Sequence, residues 1–195
     1  MNLGMSARAL APVDVKVMLA VGDSMSLGWA EGGLPFEYQG RSFCLGADKN
    51  ETTLFNLFRN GNKDIVGGSV GERIKNPFLP LATCSDSEAR DTCRLNGAMD
   101  GAKISNVELQ FDYLERQMDI MYENYTNEWK VLNMFVGISD AVFANKDNTP
   151  TPVHEFYEKY SEVLGRVRKW NKTFVNVMLL PVLLENTIDI IHNES

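Results

Sequence analysis

The stretch that decides the fold reads VKVMLAV at residues 15–21, followed directly by GDSMSLG at residues 22–28. The first half has the apolar, β-branched composition of a buried strand, and the second half has the small residues of a turn. Ser24 is therefore predicted at the carboxyl end of a strand. Ligands bind at this edge of open α/β sheets, because the strand-to-helix turns present side chains and free backbone N–H groups there. Ser24 is a candidate nucleophile, and plain turn chemistry is the alternative interpretation of Gly-Asp-Ser.

Composition indicates a globular protein with a buried core. The chain has 195 residues, of which 44% are hydrophobic and 23% are charged, and we expect residues 1–195 to form a single domain. The formal net charge of −7 argues against nucleic acid as a partner, because non-specific binding needs clustered Lys and Arg. No apolar stretch reaches the roughly 20 residues that cross a bilayer, and residues 1–14 lack the pattern of a signal peptide.

Predicted strands and helices alternate along the chain, which favours an α/β fold: a three-layer sandwich with a mostly parallel central sheet. The predicted strands cover residues 15–21, 64–70, 130–136 and 173–180, and the predicted helices cover 105–123 and 153–167. Ser105 and Glu108 suggest a capping box for the first helix, and Thr151 and Pro152 suggest the N-cap and first residue of the second. The irregular regions 29–50 and 71–94 are expected to run over the catalytic face.

Two features point to an exported or lumenal protein. Cys84 and Cys93 bracket a polar loop where a disulfide would suit export, although two free thiols remain the alternative; Cys44 is left over. Four N-glycosylation sequons begin at Asn50, Asn124, Asn171 and Asn193. No Cys/His cluster has metal-ligand spacing, so no metal and no cofactor is expected.

Three ordered blocks carry a resemblance to a known family. The first, Gly22-Asp23-Ser24-x-Ser26, resembles the signature of the GDSL lipases and esterases, also called SGNH hydrolases, with Met25 in place of leucine. The second runs from Asn96 to Gly101, and the resemblance implies that Asn96 supports the site and that the Gly101 N–H enters the oxyanion hole. A glycine suits that task because no side chain blocks the close approach of the backbone.

The third block of the family reads Gly-x-Asn-Asp, and here the strand at 130–136 leads into Gly137-Ile138-Ser139-Asp140. Ser139 occupies the position of the asparagine that donates to the oxyanion. Its hydroxyl is a donor with a shorter reach than an amide, so we expect Ser139 to bind the oxyanion weakly or through water. The resemblance implies that Asp140 and Asp23 are supporting residues.

The resemblance covers about residues 15–185 and is closest in kind to the phospholipase B branch of the family, on residues 38–43, 96–110 and 128–130. It implies a flavodoxin-like SGNH-hydrolase fold and a serine esterase or lipase, a secreted glycoprotein of lipid metabolism. The implied substrates are phospholipids, lysophospholipids or other acyl esters, cleaved through an acyl-enzyme.

The sequence does not clearly supply the general base that such a hydrolase needs. The family carries it in a C-terminal Asp-x-x-His block, and Asp189 and His192 have that spacing without a further strand before them. The sequence therefore suggests that this block is missing and that His192 and His154 are both solvated. A C-terminally truncated chain, or an inactive relative that binds lipid or a protein partner, is the alternative to an active hydrolase. A phosphate-binding flavodoxin-like domain is a third interpretation, which Asp23 beside an anion disfavours.

Overall fold

The computed structural model describes residues 7–28, 36–74, 83–141 and 151–179. The central sheet has three strands in the order β1-β4-β5, and all of its pairings are parallel. A small antiparallel pair, β2 with β3, lies outside it. The strands are β1 (Val15–Gly22), β2 (Phe36–Glu37), β3 (Arg73–Ile74), β4 (Trp129–Phe135) and β5 (Thr173–Val177).

Helices cover both faces of the sheet, as the sequence predicts for an α/β fold. They are α1 (Ser24–Leu27), α2 (Leu54–Gly61), α3 (Asp86–Glu88), α4 (Val107–Met121), α5 (Ile138–Ala141) and α6 (Val153–Val167). On one face, alternate β1 residues such as Leu19 pack with Phe111 of α4 and Val163 of α6. On the other face, Met18 packs with Phe55 of α2. This burial on both faces explains the continuous apolar run of β1.

The predicted strands at 15–21, 130–136 and 173–180 are confirmed within a residue or two, with position 180 outside the described residues. The predicted strand at 64–70 is wrong as a regular strand. Val66 makes a parallel bridge to Val17, and Asn96 makes another to Ala20 further along β1. Two short segments therefore share the β1 edge that one regular strand would occupy, because each pairs for only a residue or two.

Both predicted helix starts need correction. The helix at 105–123 begins with a 3-10 turn over Ile104–Asn106, and the α-helix proper starts at Val107. The N-cap of this turn is Lys103, not Ser105, and the Lys103 N–H donates to the Asn106 side chain at 2.9 Å. Glu108 does not take part in capping; it forms an ion pair with Arg166 of α6.

The N-cap of α6 is Pro152, not Thr151, and it makes no side-chain capping bond. The Thr151 hydroxyl instead donates to Asp140 Oδ1 at 2.7 Å, so it ties the start of α6 to α5. The described part of region 29–50, predicted as irregular, contains β2 and a 3-10 turn over Gln39–Arg41. The helix α2, with Thr53 as its N-cap, follows that region and is not among the predicted helices.

The predicted disulfide between Cys84 and Cys93 is confirmed, and Cys44 is a free, fully buried cysteine. None of the helices among the described residues is long and apolar enough to cross a membrane.

Candidate active site

Ser24 is the first residue of the short helix α1, directly after the carboxyl end of β1. It is half-buried, and its hydroxyl makes no hydrogen bond with the residues that the structure describes. The chain leaves α1 through Gly28, whose positive φ of 88° ends the helix after one turn. The predicted nucleophile is thus held at the sheet edge with its oxygen free of a protein partner in this part of the chain.

Asp23 is a fully buried carboxylate that joins two loops of this edge. Its Oδ1 accepts the Met25 N–H at 3.1 Å and so caps α1, while its Oδ2 accepts the Ile138 N–H at 3.2 Å from α5. Burial raises the pKa of Asp23 to about 6, against the opposing effect of these N–H donors; the nearby Asp140 charge adds to the rise. The residue beside Ser24 therefore changes charge close to neutral pH.

Asn96 supports α1 from the second block. The side chain is almost fully buried, and its Nδ2 donates to the Ser26 carbonyl at 3.1 Å. Its Oδ1 accepts the Ala98 N–H at 3.2 Å, which shapes the turn that follows. Asn96 thus connects the second block to the helix that begins with Ser24.

Gly101 lies on an exposed turn with a φ of 71°, a conformation that favours glycine. Its N–H makes no hydrogen bond within the described ranges. Met99, two residues earlier, donates its N–H to the Gly22 carbonyl at 3.1 Å, which brings this turn beside the end of β1. A backbone donor without a partner at this edge of the sheet is the kind of group that can stabilise an oxyanion.

The third block turns sharply at Gly137, whose φ is 128°, and continues into α5. Ser139 is buried, and its hydroxyl also lacks a hydrogen bond to the described residues. Asp140 Oδ2 accepts the N–H of Ile104, three residues after the second block, at 2.9 Å. Burial raises the pKa of Asp140, and the bonds from Thr151 and Ile104 oppose that rise.

These contacts join the three blocks into one unit, which we call the carboxyl-edge cluster: residues 22–28, 96–104 and 137–141. Asp23 holds the third block, Asp140 holds the second, and Asn96 holds the first. The structure therefore brings together the regions that carry the predicted site residues, although those residues are far apart in sequence. Their catalytic roles stay predictions.

A general base is not found among the described residues. His154 is exposed on the first turn of α6, and no contact joins it to Ser24. Asp189 and His192 lie outside the described residues. In the same part of the chain, no group of His, Cys, Asp and Glu side chains could hold a metal ion.

Sequence reasoning missed one residue of this site, Gln110 of α4. Its fully buried side chain makes two hydrogen bonds to the backbone of Gly22. The signal was present: Gln110 falls three residues after Val107 and four before Leu114, on the apolar stripe of the helix. A polar side chain at a core position requires a polar partner.

The fold and the cluster define an α/β protein with a serine at the carboxyl edge of a parallel sheet. The chain is similar to phospholipase B1, membrane-associated, of Homo sapiens: 33% identity over 147 residues, 69% of this chain and 9% of that protein. It is 30% identical over 175 residues to the proteins of that name from Mus musculus and Rattus norvegicus, which is 84% of this chain and 11% of each relative.

The chain thus spans about a tenth of the length of these relatives. No protein-family model and no solved structure matches it. The comparisons confirm the resemblance to phospholipase B, and they name neither GDSL nor SGNH, so the serine mechanism stays a prediction.

Proposed function

We propose that this chain is a serine esterase that hydrolyses acyl esters of phospholipids or lysophospholipids. One observation carries the proposal: Ser24 stands at the carboxyl edge of β1 with a hydroxyl that has no partner among the described residues. The second block supplies the Gly101 N–H, which also lacks such a partner. The similarity to phospholipase B1 supports the choice of substrate.

In the proposed reaction, Ser24 Oγ attacks the ester carbonyl carbon and its proton passes to a general base. The negative charge on the carbonyl oxygen is met by the Gly101 N–H and the Ser139 hydroxyl. Collapse of this intermediate breaks the bond to the alcohol, which leaves with the proton, and water then hydrolyses the acyl-enzyme. Because serine has a shorter reach than asparagine, Ser139 is the weaker donor.

Fluorophosphonate labelling tests this proposal. The unmodified chain, Ser24→Ala, His192→Ala and His154→Ala are labelled side by side, with circular dichroism to establish folding. We expect label on the unmodified chain and on His154→Ala, and none on Ser24→Ala. Loss of label in His192→Ala would identify the base. A folded, unmodified chain that takes no label contradicts the proposal.

The second candidate is a non-catalytic protein that binds lipid or a protein partner, favoured by the lack of a hydrogen-bonded base at Ser24 among the described residues. In that case the unmodified chain and Ser24→Ala bind lysophospholipid equally well, and neither is labelled. Absence of binding in both would remove this candidate. Phosphate binding at the first turn is disfavoured further, because Asp23 already occupies the Met25 N–H that an anion would need.

We also propose that the chain works as a secreted or lumenal glycoprotein. The Cys84–Cys93 disulfide supports this location, because such bonds persist in oxidising compartments. The sequon residues Asn50, Asn124 and Asn171 are all exposed in turns, where an attached oligosaccharide would meet no steric barrier.

A further inference from the structure

Gln110 makes an unusual pair of contacts with the strand that leads to Ser24. Its Oε1 accepts the Gly22 N–H at 2.7 Å, and its Nε2 donates to the Gly22 carbonyl at 2.8 Å. Eighty-eight residues separate the two partners in sequence, and Gln110 is fully buried. One side-chain amide thus satisfies both the donor and the acceptor of a single backbone residue.

The two hydrogen bonds between Gln110 and Gly22 lie at the edge of β1 that faces away from β4. Along this edge Ala20 pairs with the backbone at the start of the second block. Its N–H donates to the carbonyl of Leu95, the residue before the block, and its carbonyl accepts the Gly97 N–H. Beyond Gly97 the second block turns away, and at Gly22 only the Met99 N–H still reaches the strand. Gln110 therefore takes the position that a neighbouring strand would hold, and without it the Gly22 N–H would lose its partner.

Gly22 is also a residue whose conformation must be held. Its φ is 153°, and a Cβ built on it would collide with the Phe135 carbonyl. Glycine has more backbone freedom than any other residue, so the end of β1 would be loose without added contacts. Asp23 and Ser24 follow immediately, and any rotation at Gly22 moves the Ser24 hydroxyl.

We infer that Gln110 is a positioning residue that fixes the peptide groups on both sides of Gly22 and thereby orients Ser24 toward the substrate carbonyl. The role rests on the proposed function, since it concerns the same nucleophile. Gln110 does not touch the substrate itself; it acts through the backbone of β1.

The chain offers a matched control, Gln117. It lies on α4 two turns after Gln110 and is also fully buried, and the hydrogen bonds of Gly22 do not involve it. Gln110→Met and Gln117→Met make the same chemical change in the same helix. Gln110→Met is expected to lower the melting temperature, because it leaves the buried Gly22 N–H without a partner.

The experiment compares the second-order rate of fluorophosphonate labelling, and kcat and KM on a soluble ester, at equal folded fractions. We expect Gln110→Met to lower labelling and kcat by about tenfold or more with little change in KM, because small misplacements of a nucleophile are costly. Gln117→Met should stay within about twofold of the unmodified chain. Equal losses in both variants would overturn the role of Gln110.

Gln110→Glu supplies a second test if Gln110→Met does not fold. A protonated carboxyl group donates and accepts like the amide, whereas a carboxylate only accepts and would face the Gly22 carbonyl. The labelling rate of this variant, divided by that of the unmodified chain, should rise as pH falls; the division cancels the titration of Asp23 and Asp140. A flat ratio would overturn the inference. An unlabelled, folded wild-type chain would instead overturn the proposed function, and the role of Gln110 with it.

Discussion

At the scale of single residues, Asp23 is the side chain directly before the proposed nucleophile, Ser24. It is a carboxylate enclosed by protein, with two backbone N–H groups as partners and a second buried carboxyl, Asp140, nearby. Two N–H donors do not fully replace the water that a charged carboxylate loses, so its pKa rises. Asp23 therefore couples the stability of the cluster to pH.

The direction of that coupling can be predicted. Burial raises the pKa of Asp23 from 3.8 to about 6, so the folded state holds the proton more tightly than the unfolded chain. Its contribution to stability is full below about pH 4 and is lost as pH rises through about 6, by at most about 3 kcal/mol. We expect the free energy of unfolding of the wild type to fall by up to that amount, relative to Asp23→Asn, between about pH 4 and pH 7.

Urea unfolding of both proteins at the two pH values measures this difference. The exposed Asp91→Asn variant controls for adding an asparagine. If the difference between the wild type and Asp23→Asn is the same at both pH values, Asp23 does not titrate as its burial requires.

At the scale of elements, α4 and α6 are joined by Arg166. Its guanidinium bonds Glu108 at 2.6 Å, Asp112 at 2.7 Å and Glu115 at 2.7 Å, and Trp170 Nε1 donates to Glu115 at 3.0 Å. The three acids lie on one face of α4, so they would repel one another without the arginine. Arg166 also lies over the Phe111 ring, which links the surface network to the core.

Removing Arg166 should loosen the helical layer on this face. We expect Arg166→Met to lower the free energy of unfolding by about 1–2 kcal/mol, a modest amount because solvent screens the exposed acids. Arg166→Lys should recover only part of the loss, since an ammonium group cannot bridge three carboxylates as a planar fork does. Urea unfolding measures both.

Lys159→Met serves as the control, because the ion pair of Lys159 within the described residues is with Glu162, on the exposed side of α6. We expect no measurable change there. An effect of Arg166→Met no larger than that of Lys159→Met would mean that the network does not hold the helices together.

The elements that could be predicted from the sequence are those with strong periodicity. The strands β1, β4 and β5 and the helices α4 and α6 each bury a regular pattern of apolar residues, and the pattern is visible in one dimension. The helix starts could not be predicted, because Glu108 and Thr151 form their bonds with residues of other elements. The apolar residues of 64–70 predict a strand that is not regular, because the backbone of this segment pairs only at isolated positions.

The candidate site, like the elements, could be predicted from the sequence only in part. The motifs propose Ser24, Asn96 and Gly101 as site residues, whose roles stay predictions, because the blocks stand in order along the chain. They could not reveal that Asp23 contacts Ile138 or that Gln110 contacts Gly22, since both contacts depend on how the elements pack. The local sequence thus indicates which chemical groups could act, whereas the contacts that hold those groups in place are visible only in the tertiary structure.

At the scale of the whole molecule, the two ends of the parallel sheet differ in chemistry. The carboxyl end holds the carboxyl-edge cluster. At the amino end, Asn124 lies in the turn region before β4 and Asn171 in the turn before β5, both exposed. Oligosaccharides at these two positions would stand away from Ser24 and leave the proposed site open.

Expression in a secreting eukaryotic host tests this arrangement. We expect peptide N-glycosidase F to lower the mass of the protein, and Asn124→Gln and Asn171→Gln each to remove one oligosaccharide without changing the rate of fluorophosphonate labelling. Asn127→Gln is the matched control, because Asn127 is exposed in the same region and begins no sequon. A secreted protein whose mass does not change would contradict the prediction.

The contacts within the carboxyl-edge cluster have a consequence for how this chain tolerates mutation. Each block is held by a side chain from another block: Asp23 holds the third, Asp140 the second and Asn96 the first. Substitutions in different blocks should therefore show strong epistasis, with double-mutant effects that depart from the sum of the single ones. We therefore expect residues of the three segments to covary in evolution, although the segments are far apart in the sequence.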